Sequence, residues 1–357
     1  MEPVKAGLFG LTHPHSGAHL KTLLSSSLVS EIVLFDRDPA ALDTLGTPDK
    51  VVGAYSDLSA LAEAEFLHFG VACGRNDENS GLCMQLFDQG MHVISEKPIG
   101  ASVEAVAKVV GCAQKSGLQL GVMYQNRYHP ASQQARQLIQ SGAVGRVTAC
   151  ESRLVTSQVK FRNPGHWLFN KAVSGGGILS WLGCHYIDLL SYVLGDDIVS
   201  VSAMVDTLSG EAIDVEDVAS LSLRFSNGAL GSMQAGYHLA VSGAGYMGPS
   251  YDTYMGFRGT LGRVFWTPSG GPSELHLESV AEGWHTAPQR TFDYVLPQVE
   301  AYGGAYGVAF MDDFIRSTVG KGPLPASGQD ALKVATIIDA AYRASDSGKR
   351  IDIELRL

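Results

Sequence analysis

The sequence predicts an α/β protein of two domains: an amino-terminal doubly wound parallel sheet, then a carboxy-terminal α/β domain with a large, mostly antiparallel open sheet. Three observations lead there. The 357 residues exceed what one ordinary core accommodates. As far as Met123, short apolar runs alternate with stretches of helical spacing, the pattern of a parallel sheet crossed by helices. Beyond Arg127 the apolar segments lengthen and turn signals join them, as in antiparallel strands. The expected domains are therefore 1–125 and 126–357, with the carboxy-terminal helices able to pack back on the first.

Residues 4–10 form a short apolar strand, and the segment after it takes up helical spacing at Leu20, Leu23 and Leu24. Residues 31–36 are a second strand, and 51–54 and 66–72 supply two more, with helical stretches at 39–45 and 57–62. Residues 79–89 are a helix, after which Val93 and Ile94 lie in a buried strand that Pro98 stops. An amphipathic helix at 103–115 ends at Gly117, ahead of a sixth strand at 118–123.

In the second half, a helix at 131–141 leads into a long strand, 146–157. Gly175 to Gly177 form a turn feeding a helix with apolar spacing at Ile178, Leu182, Leu189 and Val193. Strands are expected at 200–206, 219–225 and 229–237, the last two joined by an Asn227-Gly228 hairpin turn. Further strands fall near 253–258, 263–267 and 275–278, and residues 242–249 read as a mobile glycine-rich loop. Two late helices, 307–319 and 329–347, precede a terminal strand at 351–355.

Composition narrows the function. A formal charge of -10, without long runs of one sign, argues against a nucleic-acid partner. No apolar stretch approaches the roughly 20 residues of a membrane span, and a strand begins almost at once after Met1, so no signal peptide and a cytoplasmic location are expected. The cysteines at 73, 83, 112, 150 and 184 form no CxxC pair, and reduced thiols are expected.

Chemistry concentrates in a few segments. In MHVISEKPIG, residues 91–100, Lys97 is fixed at the carboxyl end of a strand, the edge where an open parallel sheet binds ligands. Gly10 opens a turn in which Thr12 and His15 stand where GxGxxG has its other glycines. Thr12 could replace close backbone approach with a hydroxyl hydrogen bond, while helix amides face the phosphates. Asp36, about 20 residues on, suits the ribose hydroxyls of NAD, whereas Arg37 could pair with the phosphate of NADP; the acid should dominate, because it would repel that phosphate. His13, His15 and His19 lack the further nearby ligands of a zinc site, so no metal is expected; His13 and His15 read as a polar helix start or as neighbours of the nicotinamide. In SGGGILSWLGCHYID, Trp181, His185 and Asp188 have the spacing of one helical face.

These segments, with QNRYHP, GAVGRV, FSNGALG, FRGTLGRV and DAAYRAS, resemble the Gfo/Idh/MocA family of nicotinamide-dependent sugar and cyclitol oxidoreductases over nearly the whole chain. The resemblance implies a Rossmann domain and a second domain whose open sheet binds substrate on one face and often a sister subunit on the other, as a homodimer or homotetramer. It implies a cis peptide before Pro98, a catalytic role for Lys97 and a substrate role for His185, with Asp188 matching the acid three residues beyond that histidine; Lys97 and His185 are the catalytic candidates. Gly10, Thr12, His13, Asp36, Arg37, Glu96 and Lys97 are the cofactor-binding candidates. Arg127, His166, Trp167 and Trp181 join Asp188 as substrate candidates.

One departure matters most: members with alcohol dehydrogenase chemistry usually carry an aspartate four residues before the histidine, and here that residue is Trp181. Lys97 and His185 must then share the proton work, and Trp181 offers a sugar ring an apolar face. The cofactor is expected to be NAD, with NADP as the variant, and the substrate a secondary alcohol of a sugar, sugar derivative or cyclitol. Two rivals remain open: glycoside cleavage through transient sugar oxidation, and a non-catalytic nucleotide-binding subunit.

Overall fold

The structure, a computed structural model, describes residues 1–240, 250–269 and 273–354. The expected loop at 242–249 lies outside the described residues, as does Leu355 at the end of the expected last strand. The chain divides into two compact units, Met1–Gln125 with Pro297–Leu332, and Asn126–Leu296 with Lys333–Leu357.

The first unit holds a six-stranded sheet of β1 (Val4–Phe9), β2 (Val29–Phe35), β3 (Val51–Tyr55), β4 (Phe69–Ala72), β5 (His92–Ser95) and β6 (Leu120–Val122). All neighbours pair in parallel, in the order β3-β2-β1-β4-β5-β6. The strands next to the centre are buried along most of their length, because helices cover both faces of a parallel sheet. The order reverses between β1 and β4, and ligands of such sheets bind beyond the strand ends at that switch. Helices α1 (Ser16–Ser25), α2 (Leu58–Ala64), α3 (Asn76–Asp88) and α4 (Val103–Ser116) make the crossovers. Ser102 caps α4 by accepting the Ala105 amide, and Gly117 ends it at a φ of 70°. The helical stretch expected at 39–45 shrinks to one 3₁₀ turn, Pro39–Ala41, started by the Asp38 side chain on the Ala40 amide. The later helix Gly304–Thr318 also belongs to this unit, where Phe314 packs edge-on against Phe69.

The second unit holds a nine-stranded sheet, in which β7 (Val147–Ser157) is central. It comprises also β8 (Ile198–Asp206), β9 (Val218–Phe225), β10 (Leu230–Leu239), β11 (Tyr251–Gly259), β12 (Gly262–Trp266), β13 (Glu274–Ser279), β14 (Gln289–Asp293) and β15 (Ile351–Asp352). The Asn227-Gly228 turn joins β9 to β10 as expected, with Gly228 at a φ of 87°. Pairing is antiparallel except that β7 and β10 run parallel. Strand β14 escaped the sequence reading because it is mostly exposed and lacks alternating apolar residues.

In this unit α5 (Pro130–Gln140) packs against α7 (Cys184–Leu194), which follows the short α6 (Lys171–Ser174) and carries side chains of the site. The helix expected to run straight on from the glycines instead starts with a π-helical segment, Leu179–Gly183, before α7. Such segments widen the turn and are frequent at functional sites. The stretch Lys171–Leu194 is long and apolar enough to cross a membrane, but 83% of its most apolar window is buried, as in a core helix.

Candidate active site

The turn after β1 is built around one glycine. Gly10 has a φ of 90°, and a Cβ there would lie 2.4 Å from the Cys73 carbonyl oxygen at the end of β4. No other residue fits that approach between the two central strands. The Leu11 amide donates to Asp36 Oδ2 at 2.7 Å and the Asp38 amide to Oδ1 at 3.0 Å. Ser16 Oγ closes the turn by donating to the Gly10 carbonyl at 2.6 Å. Here opens a cavity of about 620 Å³, lined among others by Gly10, Thr12, Asp36, Arg37 and Lys108. Its close backbone approach and the acid at the end of β2 fit a dinucleotide. Arg37 donates to Gln85 Oε1 at 2.8 Å.

Beyond β5 the side chains turn inward. Lys97 is fully buried, the peptide to Pro98 is cis, and Lys97 Nζ lies 3.4 Å from Glu96 Oε1. Glu96, expected with the cofactor residues, is 1% exposed and gives its carboxylate to two histidines. His15 Nδ1 sits 2.9 Å from Oε1 and His19 Nε2 2.6 Å from Oε2. The His13 and His15 rings meet edge-on, and both His15 and His19 lie with ring centroids 4.7 Å from Tyr302. Burial pushes the His15 imidazole down to about 4 against the pull of Glu96, and holds His13 well below its ordinary value. Burial alone would raise Glu96, but His15, Lys97 and the histidine hydrogen bonds outweigh it and hold the carboxyl well below its usual range. Both histidines are therefore neutral at neutral pH and Glu96 is an anion. Because a carboxylate only accepts, His15 carries its proton on Nδ1 and His19 on Nε2. His13 Nδ1 accepts the His15 amide at 3.1 Å, which puts the His13 proton on Nε2. Among the described residues no group of three or more His, Cys, Asp or Glu side chains is arranged to hold a metal ion.

In the second unit, the start of the π-helical segment is clamped by Glu216. Its Oε2 accepts the Gly177 amide at 2.7 Å and its Oε1 the Leu179 amide at 2.9 Å, while its backbone carbonyl accepts the Ile178 amide at 3.1 Å. Tyr342 donates to Oε1 at 3.0 Å. A Cβ on Gly177 would stand 1.9 Å from the Glu216 carbonyl oxygen, and one on Gly176 2.0 Å from the Tyr342 hydroxyl, which explains two of the three glycines. Burial raises the Glu216 carboxyl, partly offset by the amides it accepts.

The clamped segment carries Trp181, and α7 carries His185 and Asp188, all three buried. Trp181 is 1% exposed and meets Trp167 edge-on at 6.0 Å, and Trp167 in turn packs on His166 at 5.3 Å. The Trp181 ring thus lies behind that of the less buried Trp167. Arg127 grips Asp188 with two bonds, Nε to Oδ2 at 2.9 Å and Nη2 to Oδ1 at 2.5 Å, and its guanidinium lies over Tyr192. A fork of this kind ties Arg127 to α7 with two charge-assisted bonds. Tyr302, Glu216 and Tyr342 were missed in the sequence. Glu216 sits in VEDVAS, an acidic pair ahead of β9, and only its distant partners distinguish it.

Residues 6–124 match the model of an oxidoreductase family with an NAD-binding Rossmann fold, and residues 132–264 that of the GFO/IDH/MocA C-terminal domain. The levoglucosan dehydrogenase of Pseudarthrobacter phenanthrenivorans is 23% identical over 84% of this chain and 83% of its own. The inositol 2-dehydrogenase of Rhizobium meliloti is 24% identical over 94% and 95%. An Agrobacterium radiobacter oxidoreductase, solved with NAD+, L-tartaric acid and magnesium, shares the fold at a TM-score of 0.84 and 21% identity, covering 99% of both chains.

Proposed function

Because the chain belongs to the GFO/IDH/MocA family of NAD-binding oxidoreductases, we propose that it oxidises a secondary alcohol of a sugar, sugar derivative or cyclitol. One observation carries this reading: a cavity of about 620 Å³ at the Gly10 turn shares its sheet with a buried lysine at the end of β5. The names of the two relatives, one acting on an anhydrosugar and one on a cyclitol, support the substrate class.

Gly10, Thr12 and the first amides of α1 hold the pyrophosphate, and Asp36 the adenosine ribose. When bound, NAD supplies the hydride acceptor. Lys97 donates a hydrogen bond to the substrate hydroxyl oxygen and steadies the charge that grows there. His185 takes the hydroxyl proton. Trp167 and His166 contact the sugar, with Trp181 supporting Trp167 from behind. Arg127 and Asp188 act as a pair that fixes α7.

Lys97→Met should lower turnover about a hundredfold or more, the range of a positioned acid-base group, with NAD affinity measured by calorimetry unchanged. Near-normal turnover would remove Lys97 from the mechanism.

The five cysteines are free, consistent with a reducing cytoplasm. We also propose a homodimer or homotetramer formed through the outer face of the nine-stranded sheet. That face carries the exposed cross-strand pairs Arg153–Asp252 and Arg258–Glu151. Light scattering of the purified protein reads the subunit number, and a monomer at working concentration would exclude both.

A further inference from the structure

The Glu96 carboxylate pairs with the buried Lys97 at 3.4 Å, and it is held from three sides. From α1 and the turn before it come His15 and His19, with His13 behind them; from its own segment comes Lys97. The Tyr302 ring lies against both histidines, and the Cys73 thiol at the end of β4 lies 3.7 Å from His13 Nδ1. Burying a carboxylate this deeply is costly unless its hydrogen bonds are satisfied, and removing one partner leaves the other charge uncompensated. His15 and His19 satisfy it with ring N–H groups. The Lys97 ammonium lies 3.4 Å from the same carboxylate.

We propose that Glu96 is the positioning residue for Lys97: a carboxylate that His15 and His19 lock in one orientation, and that holds the Lys97 ammonium at the end of β5. The proposal rests on the reading of Lys97 as the group that meets the substrate hydroxyl. Oε1 takes both His15 Nδ1 and Lys97 Nζ, so the histidine sets where the shared oxygen lies and the oxygen sets where the ammonium lies. Glu96 itself need not touch substrate. Its contribution should therefore appear in turnover, not in nucleotide binding, and should vanish when Lys97 is gone.

The test is a double-mutant cycle of Glu96→Gln and Lys97→Met, with kcat, KM, NAD affinity by calorimetry, and the 15N resonance of the Lys97 ammonium. Glu96→Gln alone should lower kcat roughly tenfold or more, leave KM and NAD affinity within about threefold, and shift or broaden the Lys97 resonance. In the Lys97→Met background it should cost nothing further. Glu96→Asp, which keeps the charge on a shorter arm, should recover part of the loss and provides a folded comparison if Glu96→Gln is unstable. An unchanged Lys97 resonance in Glu96→Gln, or an equal loss of kcat with and without Lys97, would overturn the proposal. Near-normal turnover of Lys97→Met would overturn the underlying reading instead, and the ammonium resonance still reports the anchoring by itself.

Discussion

The Asp36 carboxylate accepts the Leu11 amide at 2.7 Å, so the acid at the end of β2 is also a strut of the turn after β1. Two of the three customary glycines are missing from that turn, and a side chain 25 residues away helps hold its shape. Replacing the acid therefore acts on both geometry and charge. Asp36→Asn keeps an oxygen for the Leu11 amide, gives up the bond to the Asp38 amide, and removes the charge that repels a ribose phosphate. NAD affinity should fall by no more than a few-fold, while NADP affinity rises about tenfold. Asp36→Ala should weaken both nucleotides. Calorimetric titration decides it, and an Asn variant that binds NADP no better than the native protein would contradict the ribose reading.

Trp181 and Trp167 should separate into support and contact. Trp181 is buried, so Trp181→Ala should cost about 3–5 kcal/mol of stability, as large-to-small core changes do. The more accessible Trp167 should contribute through binding: Trp167→Ala is expected to raise KM several-fold with a smaller change in kcat, the loss of an aromatic contact of about 1 kcal/mol. Thermal unfolding and steady-state kinetics on both variants check this. A stable Trp181→Ala whose only defect is in KM would place the indole against substrate.

Gly177 is irreplaceable for steric reasons, since any Cβ would strike the Glu216 carbonyl at 1.9 Å. Gly177→Ala must displace the start of the π-helical segment. We expect a loss of roughly 1–3 kcal/mol in chemical denaturation and a lower kcat, because α7 with His185 follows directly on that segment. Native-like stability would show that the clamp is loose.

The histidine cluster should make the protein acid-labile in a defined window. His15 titrates at about 4 folded and near 6.5 unfolded, so between those values the unfolded chain binds the extra proton and stability rises with pH. Glu96 acts in the same sense lower down: its stabilisation is present above its unfolded value and lost as pH falls through its depressed folded one. His15→Gln should therefore make the drop in unfolding free energy between pH 7 and pH 5 smaller by about 2 kcal/mol. Denaturation curves at the two pH values measure it, and an unchanged drop would mean His15 is not buried as a neutral ring.

The parallel sheet was legible because each strand is a short apolar run closed by a turn residue, and Lys97 because Pro98 pins it to a strand end. Partnerships across the chain were not. Glu96 reads as a cofactor-binding candidate, and its bonds to His15 and His19, 81 and 77 residues away, leave no mark in the sequence. Tyr302 lies in a segment with no motif, and Glu216 makes its bonds through backbone amides that carry no sequence signal. The π-helical segment was hidden because apolar spacing at Ile178, Leu182 and Leu189 fits a plain α-helix equally well. The parallel pairing of β7 with β10 was invisible because alternation gives a strand its faces and not its neighbour.

The most direct measurement is the nicotinamide absorbance of the purified protein with NAD and a panel of sugars, glycosides and cyclitols, run beside Lys97→Met. Reduced nicotinamide should accumulate in step with a ketone product for at least one substrate, and Lys97→Met should suppress it about a hundredfold. Consumption of a glycoside with no net reduced nicotinamide would contradict dehydrogenation and indicate a hydride that is returned.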